Sequence, residues 1–220
     1  MVANCTDYCL DEVADSTAAH ILNAARRISV SRDRLMDGNF EMNGLRPMLR
    51  LENSTICFVG FGNIARNLYR KMRAFFGHVV AVDPYITDRS MYPDVEFLEL
   101  HEALSRADVV TMHLQLTPAT RGIIGEQEFQ SMKPGVIFVN TARGGLVDEA
   151  ALMRALDSGR ISYCALDVLG TENFSESPLL HRENVILTPH ISWCSEAALA
   201  ELQKKTAQNV VETFLHGEPI

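Results

Sequence analysis

A chain of 220 residues, 47% of them apolar, is long enough for one well-buried core and the beginning of a second. Its formal net charge of -8, with no run of Lys or Arg, argues against direct binding to nucleic acid. The cysteines, Cys5, Cys9, Cys57, Cys164 and Cys194, are odd in number, which argues against a disulfide framework, and Cys5 and Cys9 lack the further clustered ligands a metal needs.

No basic-then-apolar leader occupies Met1 to Leu10 and no apolar run is long enough to span a bilayer. The expectation is a soluble, cytoplasmic protein with no membrane partner. From Leu10 to Ile28, apolar residues recur at helical spacing, with Asp11 and Glu12 in the first turn and Arg26 and Arg27 in the last. This predicts a helix, within a connecting unit over 1–30, whose apolar stripe packs on the domain that follows or on another chain. Residues 31–50 hold Gly38, Gly44 and Pro47 and no sustained period, and read as a connector.

Thr55 to Val59 is a short β-branched and apolar run, followed by Gly60, Gly62 and Ala65 in G-x-G-x-x-A spacing. Ile64, Leu68, Met72 and Phe75 then recur at helical intervals, so the stretch reads as strand, tight turn, helix. Gly60 lets the chain turn, Gly62 lets backbone approach a pyrophosphate, and Asn63 and Ile64 open a helix whose free N–H groups face the phosphates. Val79 to Val82 is a second apolar run and ends in Asp83, a carboxylate placed to take the ribose hydroxyls of NAD and to repel the extra phosphate of NADP. Read alone, the glycines could be a plain turn and Asp83-Pro84 a turn after a strand; Arg89 lies near enough to complicate the cofactor choice.

Further apolar runs follow at Asp108–Leu114, Gly135–Val139, Ile161–Val168 and Asn184–Leu187, with helical patterns at Leu100–Arg106, Glu126–Met132 and Asp148–Ser158. Alternation of strand and helix predicts an α/β fold: a Rossmann-type, doubly wound parallel sheet over 51–190, in the order 3-2-1-4-5-6. Ser195 to Gly217 carries Leu199, Leu202, Thr206, Val210 and Phe214 at helical spacing, which predicts a C-terminal helix within 191–220.

Ligands of such sheets bind beyond the carboxyl ends of the strands, so the residues after each run carry the chemistry. After the fourth comes Asn140-Thr141-Ala142-Arg143-Gly144-Gly145, where a guanidinium between small residues can receive a carboxylate. After the fifth come Asp167 and Glu172, and after the sixth His190. A histidine beside a carboxylate can move the proton that hydride exchange at a hydroxyl carbon requires, although a lone histidine reads equally as a satisfied structural residue.

N-T-A-R-G-G-L-V-D-E at 140–149, A-L-D-V at 165–168, Glu172, T-P-H at 188–190 and G-F-G-N-I-A resemble the D-isomer-specific 2-hydroxyacid dehydrogenases. The resemblance implies Arg143, Glu172 and His190 as the catalytic set, with Arg143 and His190 also beside the cofactor. It places Asp167 on the nicotinamide amide side, with Thr141 and Ala142 lining the same pocket and Thr117 on the phosphate side. V-A-D-S-T-A-A-H-I-L-N at 13–23 and Trp193 are similar to the C-terminal-binding-protein branch of NAD(H)-binding corepressors and bacterial relatives. That implies Trp193 against a small 2-hydroxy or 2-keto acid, a homodimer, and, as an alternative to catalysis, an NAD(H)-sensing interaction module. The family also carries a substrate-binding domain ahead of the first helix; without one, cofactor binding is expected to survive and turnover to be weak or lost. The sequence differs from the family pattern at Gln115, where proline is usual, and at Cys57 and Asn173.

Overall fold

The computed structural model describes residues 4–170 and 174–216. Seven strands form one parallel sheet: β1 (Thr55–Val59), β2 (His78–Val82), β3 (Val95–Phe97), β4 (Val109–Met112), β5 (Val136–Asn140), β6 (Ile161–Leu166) and β7 (Val185–Leu187). Their order is β3-β2-β1-β4-β5-β6-β7. The helices are α1 (Leu10–Arg26), α2 (Ile28–Met36), α3 (Asn63–Met72), α4 (Leu100–Arg106), α5 (Glu126–Ser131), α6 (Glu149–Asp157) and α7 (Glu196–His216).

Because side chains alternate along a strand, the sheet has two buried faces and needs a helical layer on each. Ile56 and Phe58 of β1 join Ala14 and Ile21 of α1 and Leu68 and Met72 of α3 in one cluster. Cys57 and Val59, one residue out of phase, join Leu104 of α4, Phe129 of α5 and Leu152 of α6 in the other. The near-continuous apolar runs of β1, β4 and β5, buried at every position, reflect this double coverage.

The Rossmann-type fold is the one expected, but the strand count is corrected. The run at Asp108–Leu114 is not the third strand; it is β4, paired with β1 on the side away from β2. The third strand is Val-Glu-Phe at 95–97, too short to show a period, and its place is set by packing. Phe97 meets Phe61 edge-on at 5.5 Å, and Phe61 also meets Phe58, Tyr69 and Tyr92 at 5.6, 5.8 and 5.0 Å. One ring, fully buried behind the glycine turn, thus ties β1, α3 and the edge strand together.

The N-terminal helix ends at Arg26, earlier than Ile28, because Arg27 takes a left-handed conformation with φ 56°. The chain then re-enters a helix, α2, where a plain connector was expected. Only Val30 of α2 is buried, so no apolar stripe announces it; instead the Asn23 and Ser29 side chains hold the joint, Asn23 Oδ1 accepting from the Ser29 N–H at 2.9 Å. Most of the α1 stripe is covered within the chain by α3, β5 and β6, whereas Leu10, Ala18 and Leu22 are half-buried and Ile28, beyond the helix end, is exposed. The apolar residues of α7 differ: only Ala198 is buried there, and Val210 and Phe214 are 65% and 90% exposed. No helix among the described residues is long and apolar enough to cross a membrane.

Removing the Phe61 ring should open a cavity at the junction of β1, α3 and β3. Phe61→Ala is expected to lose about 3–5 kcal/mol in urea unfolding; a loss under about 1 kcal/mol would mean the ring cluster is not what holds the edge strand.

Candidate cofactor and catalytic cleft

The glycine turn lies between the end of β1 and the start of α3. Gly60 donates its N–H to Val82 O at 2.9 Å and takes φ +90°, and a Cβ there would sit 2.9 Å from the His113 carbonyl group. The fold itself therefore requires glycine at 60. Gly62 is different. Its backbone is extended, and a Cβ would meet no protein atom within 4 Å, so nothing in the chain excludes a side chain. The free space in front of Gly62 is where a pyrophosphate needs backbone approach, and no side chain caps the α3 N-terminus that faces it.

Asp83 closes the turn. Its Oδ2 accepts from the Phe61 N–H at 2.8 Å and its Oδ1 from the Tyr85 N–H at 2.9 Å. An ionised carboxylate offers about four acceptor positions, so both oxygens retain capacity for ribose hydroxyls. These residues fit a dinucleotide. Arg89 packs over the Phe97 ring, its Cζ 4.9 Å from the centroid.

Beyond the ends of β4, β5 and β6 lies a cleft of about 750 Å³, lined by Ile64, Thr141, Ala142, Arg143, Asp167, His190 and Trp193. Seven residues singled out from the sequence are thus brought to one opening, and Ile64, on the first turn of α3, joins it to the glycine turn. Gly60, Gly62, Asn63 and Asp83 do not line the cleft but form the turn beside it. Thr117 lies outside the lining too, its Oγ1 accepting from the Thr120 N–H at 3.2 Å in an exposed turn. Glu172 lies outside the described residues.

The Arg143 loop is fixed by Asn140, whose Oδ1 accepts from the Ala142 N–H at 3.0 Å and whose Nδ2 donates to Arg143 O at 2.9 Å. Among the described residues the exposed guanidinium makes one hydrogen bond, from Nη1 to Ala142 O at 2.6 Å, and its other N–H groups can receive a carboxylate. The glycines after it do more than clear space for that guanidinium. A Cβ on Gly144 would lie 1.9 Å from the Leu169 carbonyl, and one on Gly145 would lie 2.9 Å from the Leu116 side chain.

His190 is held by Asp167. That fully buried carboxylate accepts from Thr188 Oγ1 at 2.5 Å and the Ile191 N–H at 3.0 Å on one oxygen, and from the Ser192 N–H at 2.9 Å on the other. The His190 N–H donates to Asp167 O at 2.9 Å, and His190 itself takes φ 54°. Trp193 returns its indole N–H to His190 O at 2.8 Å. Behind the loop, burial pushes the His20 imidazole below its ordinary range, with Asp167 opposing, and His20 Nε2 lies 3.4 Å from Thr188 Oγ1.

The segment ahead of α1 also lines the cleft, which no pattern in the sequence announces. Tyr8 and Cys9 precede the first helical repeat, and the structure brings them onto the opening. Tyr8 packs edge-on to Trp193 at 6.3 Å, and Lys205 of α7 pairs with Asp7 at 2.5 Å, which fastens the segment. Burial raises the pKa of both the Tyr8 phenol and the Cys9 thiol, so both stay protonated near neutrality. Asn140 was readable only as part of its motif. Among the described residues no cluster of His, Cys, Asp and Glu could hold a metal ion.

Residues 18–192 match the family described as D-isomer specific 2-hydroxyacid dehydrogenase, NAD binding domain. The chain belongs to this family. NAD is the cofactor of the family's domain, and the glycine turn and Asp83 are its fitting counterpart here. The chain is 35% identical over 214 residues to the D-3-phosphoglycerate dehydrogenase of Mycobacterium bovis, a match covering 97% of this chain and 40% of that protein. It is 32% identical over 225 residues to the hydroxypyruvate reductase of Blautia hydrogenotrophica, covering 100% of this chain and 70% of that one. The D-lactate dehydrogenase of Lactobacillus jensenii, solved with NAD+, superposes with a TM-score of 0.88 at 26% identity, over 99% of this chain and 69% of that chain. The chain thus spans 40% of the length of the mycobacterial relative.

The contrast between the two glycines is testable. Gly62→Ala is expected to leave the melting temperature unchanged and weaken NADH binding about tenfold or more, whereas Gly60→Ala should lower the melting temperature. Unchanged NADH affinity in Gly62→Ala would show that no phosphate approaches that backbone.

His113 gives a pH signature. Its ring stacks on Phe58 at 5.9 Å, its Nε2 lies 3.0 Å from Thr111 Oγ1, and burial pulls its pKa from 6.5 down to about 3. The unfolded chain then binds the proton first, so the stability due to neutral His113 is fully present above pH 6.5 and is lost as pH falls toward 3. Chemical unfolding across that window should show a shallower pH slope in His113→Gln than in the unaltered chain; identical slopes would contradict the assignment.

Proposed function

We propose that this chain is the cofactor-binding part of an NAD-dependent dehydrogenase that interconverts a small D-2-hydroxy acid and its 2-keto acid. One observation supports this above others: Arg143, His190 and Trp193 line a single cleft that reaches the glycine turn through Ile64. Bound NAD supplies the hydride acceptor, and NADH the donor. The Arg143 guanidinium holds the substrate carboxylate and polarises the neighbouring carbonyl oxygen. His190 gives a proton to that oxygen in reduction and takes it in oxidation, with Glu172 as its acidic partner. Trp193, braced by Tyr8, walls off the acyl chain. Asp83 selects NAD by accepting the ribose hydroxyls.

The chemistry of the whole relatives extends over chain that these 220 residues do not cover, so turnover depends on what else closes the cleft against water. The exposed apolar face of α7 supports a homodimer or a covering domain, and the free thiols of Cys5 and Cys194 fit a reducing compartment such as the cytoplasm. That same α7 face favours a second reading, an NAD(H)-responsive interaction module, in which assembly rather than turnover follows the cofactor.

Steady-state NADH oxidation with a panel of 2-keto acids separates the two. Catalysis predicts turnover of at least one acid, a drop of about 10²–10⁴ in kcat for His190→Ala, and a raised KM for Arg143→Ala with NADH binding retained. NADH binding without turnover of any acid, together with NADH-dependent assembly that Arg143→Ala leaves intact, would replace catalysis with the module.

A further inference from the structure

The sheet has a second polar cavity at the opposite end from the cleft, around the start of β6 and of β7. It measures about 120 Å³ and is lined by Arg27, Arg34, Arg46, Ser162, Tyr163 and Glu183 among others. Drug-sized ligand pockets run to about 300–1,000 Å³, so this one admits a single charged group rather than a nucleotide.

Arg27 sets its chemistry. The residue is 6% exposed, and its Nη2 donates to Pro47 O at 3.3 Å and Ser162 Oγ at 3.2 Å, both on the cavity wall. Its Nη1 is buried and has no hydrogen-bond partner among the described residues. A buried cationic donor without an acceptor is among the most unfavourable arrangements a core can hold. Arg27 also takes φ 56°, in the left-handed region that favours glycine, as the turn between α1 and α2 carries it to the cavity.

The surroundings offer positive charge in excess. Arg34 is paired with Glu183 and donates Nη1 to Asn43 O at 2.7 Å, so those two charges balance. Ser162 Oγ donates to Gly135 O at 2.7 Å and turns only its acceptor side toward Arg27. Arg46, exposed at the mouth, has no carboxylate partner among the described residues. Arg27 lies over the Tyr163 ring, its Cζ 4.6 Å from the centroid, but neither it nor Arg46 has a carboxylate partner among the described residues, in a chain whose net charge is -8.

We propose that this cavity binds a phosphate group, with the buried Nη1 of Arg27 and the guanidinium of Arg46 as its donors. A phosphate oxygen supplies the acceptor that Nη1 lacks, and its charge meets both unpaired cations. The group arrives as free inorganic phosphate or as the phosphate of a small metabolite. The site lies beyond the N-terminal ends of the strands and takes no part in the cleft.

Thermal unfolding of the full chain with saturating NADH, which fills the dinucleotide's own phosphate positions, tests this. Inorganic phosphate at constant ionic strength is expected to raise the melting temperature saturably over a chloride control, by a few degrees. The rise should vanish in Arg27→Met and shrink severalfold in Arg46→Gln, a surface change that leaves folding intact. Glycerol phosphate acting at lower concentration than inorganic phosphate would assign the group to a phosphomonoester; an equal or weaker effect would assign it to the free ion. A phosphate effect no greater than that of chloride, or one undiminished in Arg46→Gln, overturns the proposal. The readout is independent of turnover, so an inactive chain leaves it decisive.

Discussion

The buried carboxylate of Asp167 is the interaction on which the cleft depends. A carboxylate with no solvent contact is tolerated only when its charge is met by donors, and here Thr188 Oγ1 and the N–H groups of Ile191 and Ser192 meet it. All of these donors belong to the segment that carries His190. The end of β6 therefore dictates where the segment after β7 runs, and the imidazole has a fixed address although the residue sits on an exposed loop. Asn140 does the same for Arg143 from the end of β5. Loops that would otherwise wander are pinned by one polar side chain each, at neighbouring strand ends.

That arrangement rests in turn on a sheet that cannot shift register. β1, β4 and β5 are buried at every position, and each residue is committed to one face by the helical layer it meets. A slip by one residue would exchange the two clusters and carry the strand ends, with Asp83, Asn140 and Asp167, out of line. The Phe61 ring cluster and the left-handed turn at Gly60 anchor the cofactor side of this frame.

Much of this was legible in the sequence because the chemistry follows directly after apolar runs. Gly60, Gly62 and Asp83, and then Arg143, Asp167 and His190, each stand at a strand end that hydrophobicity alone locates. The features that the sequence does not announce have physical reasons. β3 is three residues long and owes its order to Phe61 and Tyr92, which are distant in sequence. α2 buries only Val30 and has no period to read. Tyr8 and Cys9 precede the first repeat and reach the cleft only because α7 and Trp193 hold their segment. The anchoring role of Asp167 is a set of tertiary hydrogen bonds that spacing cannot express, and the unpaired nitrogen of Arg27 is visible only once its neighbours are placed.

The central claim is that a guanidinium and an imidazole converge on the nicotinamide end of a dinucleotide laid along the glycine turn. A crystal structure of the chain with NADH and oxamate, a 2-keto acid analogue, measures this directly. The account predicts the pyrophosphate against Gly62, the oxamate carboxylate on Arg143, and its carbonyl oxygen within hydrogen-bond reach of His190. A nicotinamide ring directed away from the cleft, or oxamate bound without contact to either side chain, would contradict it.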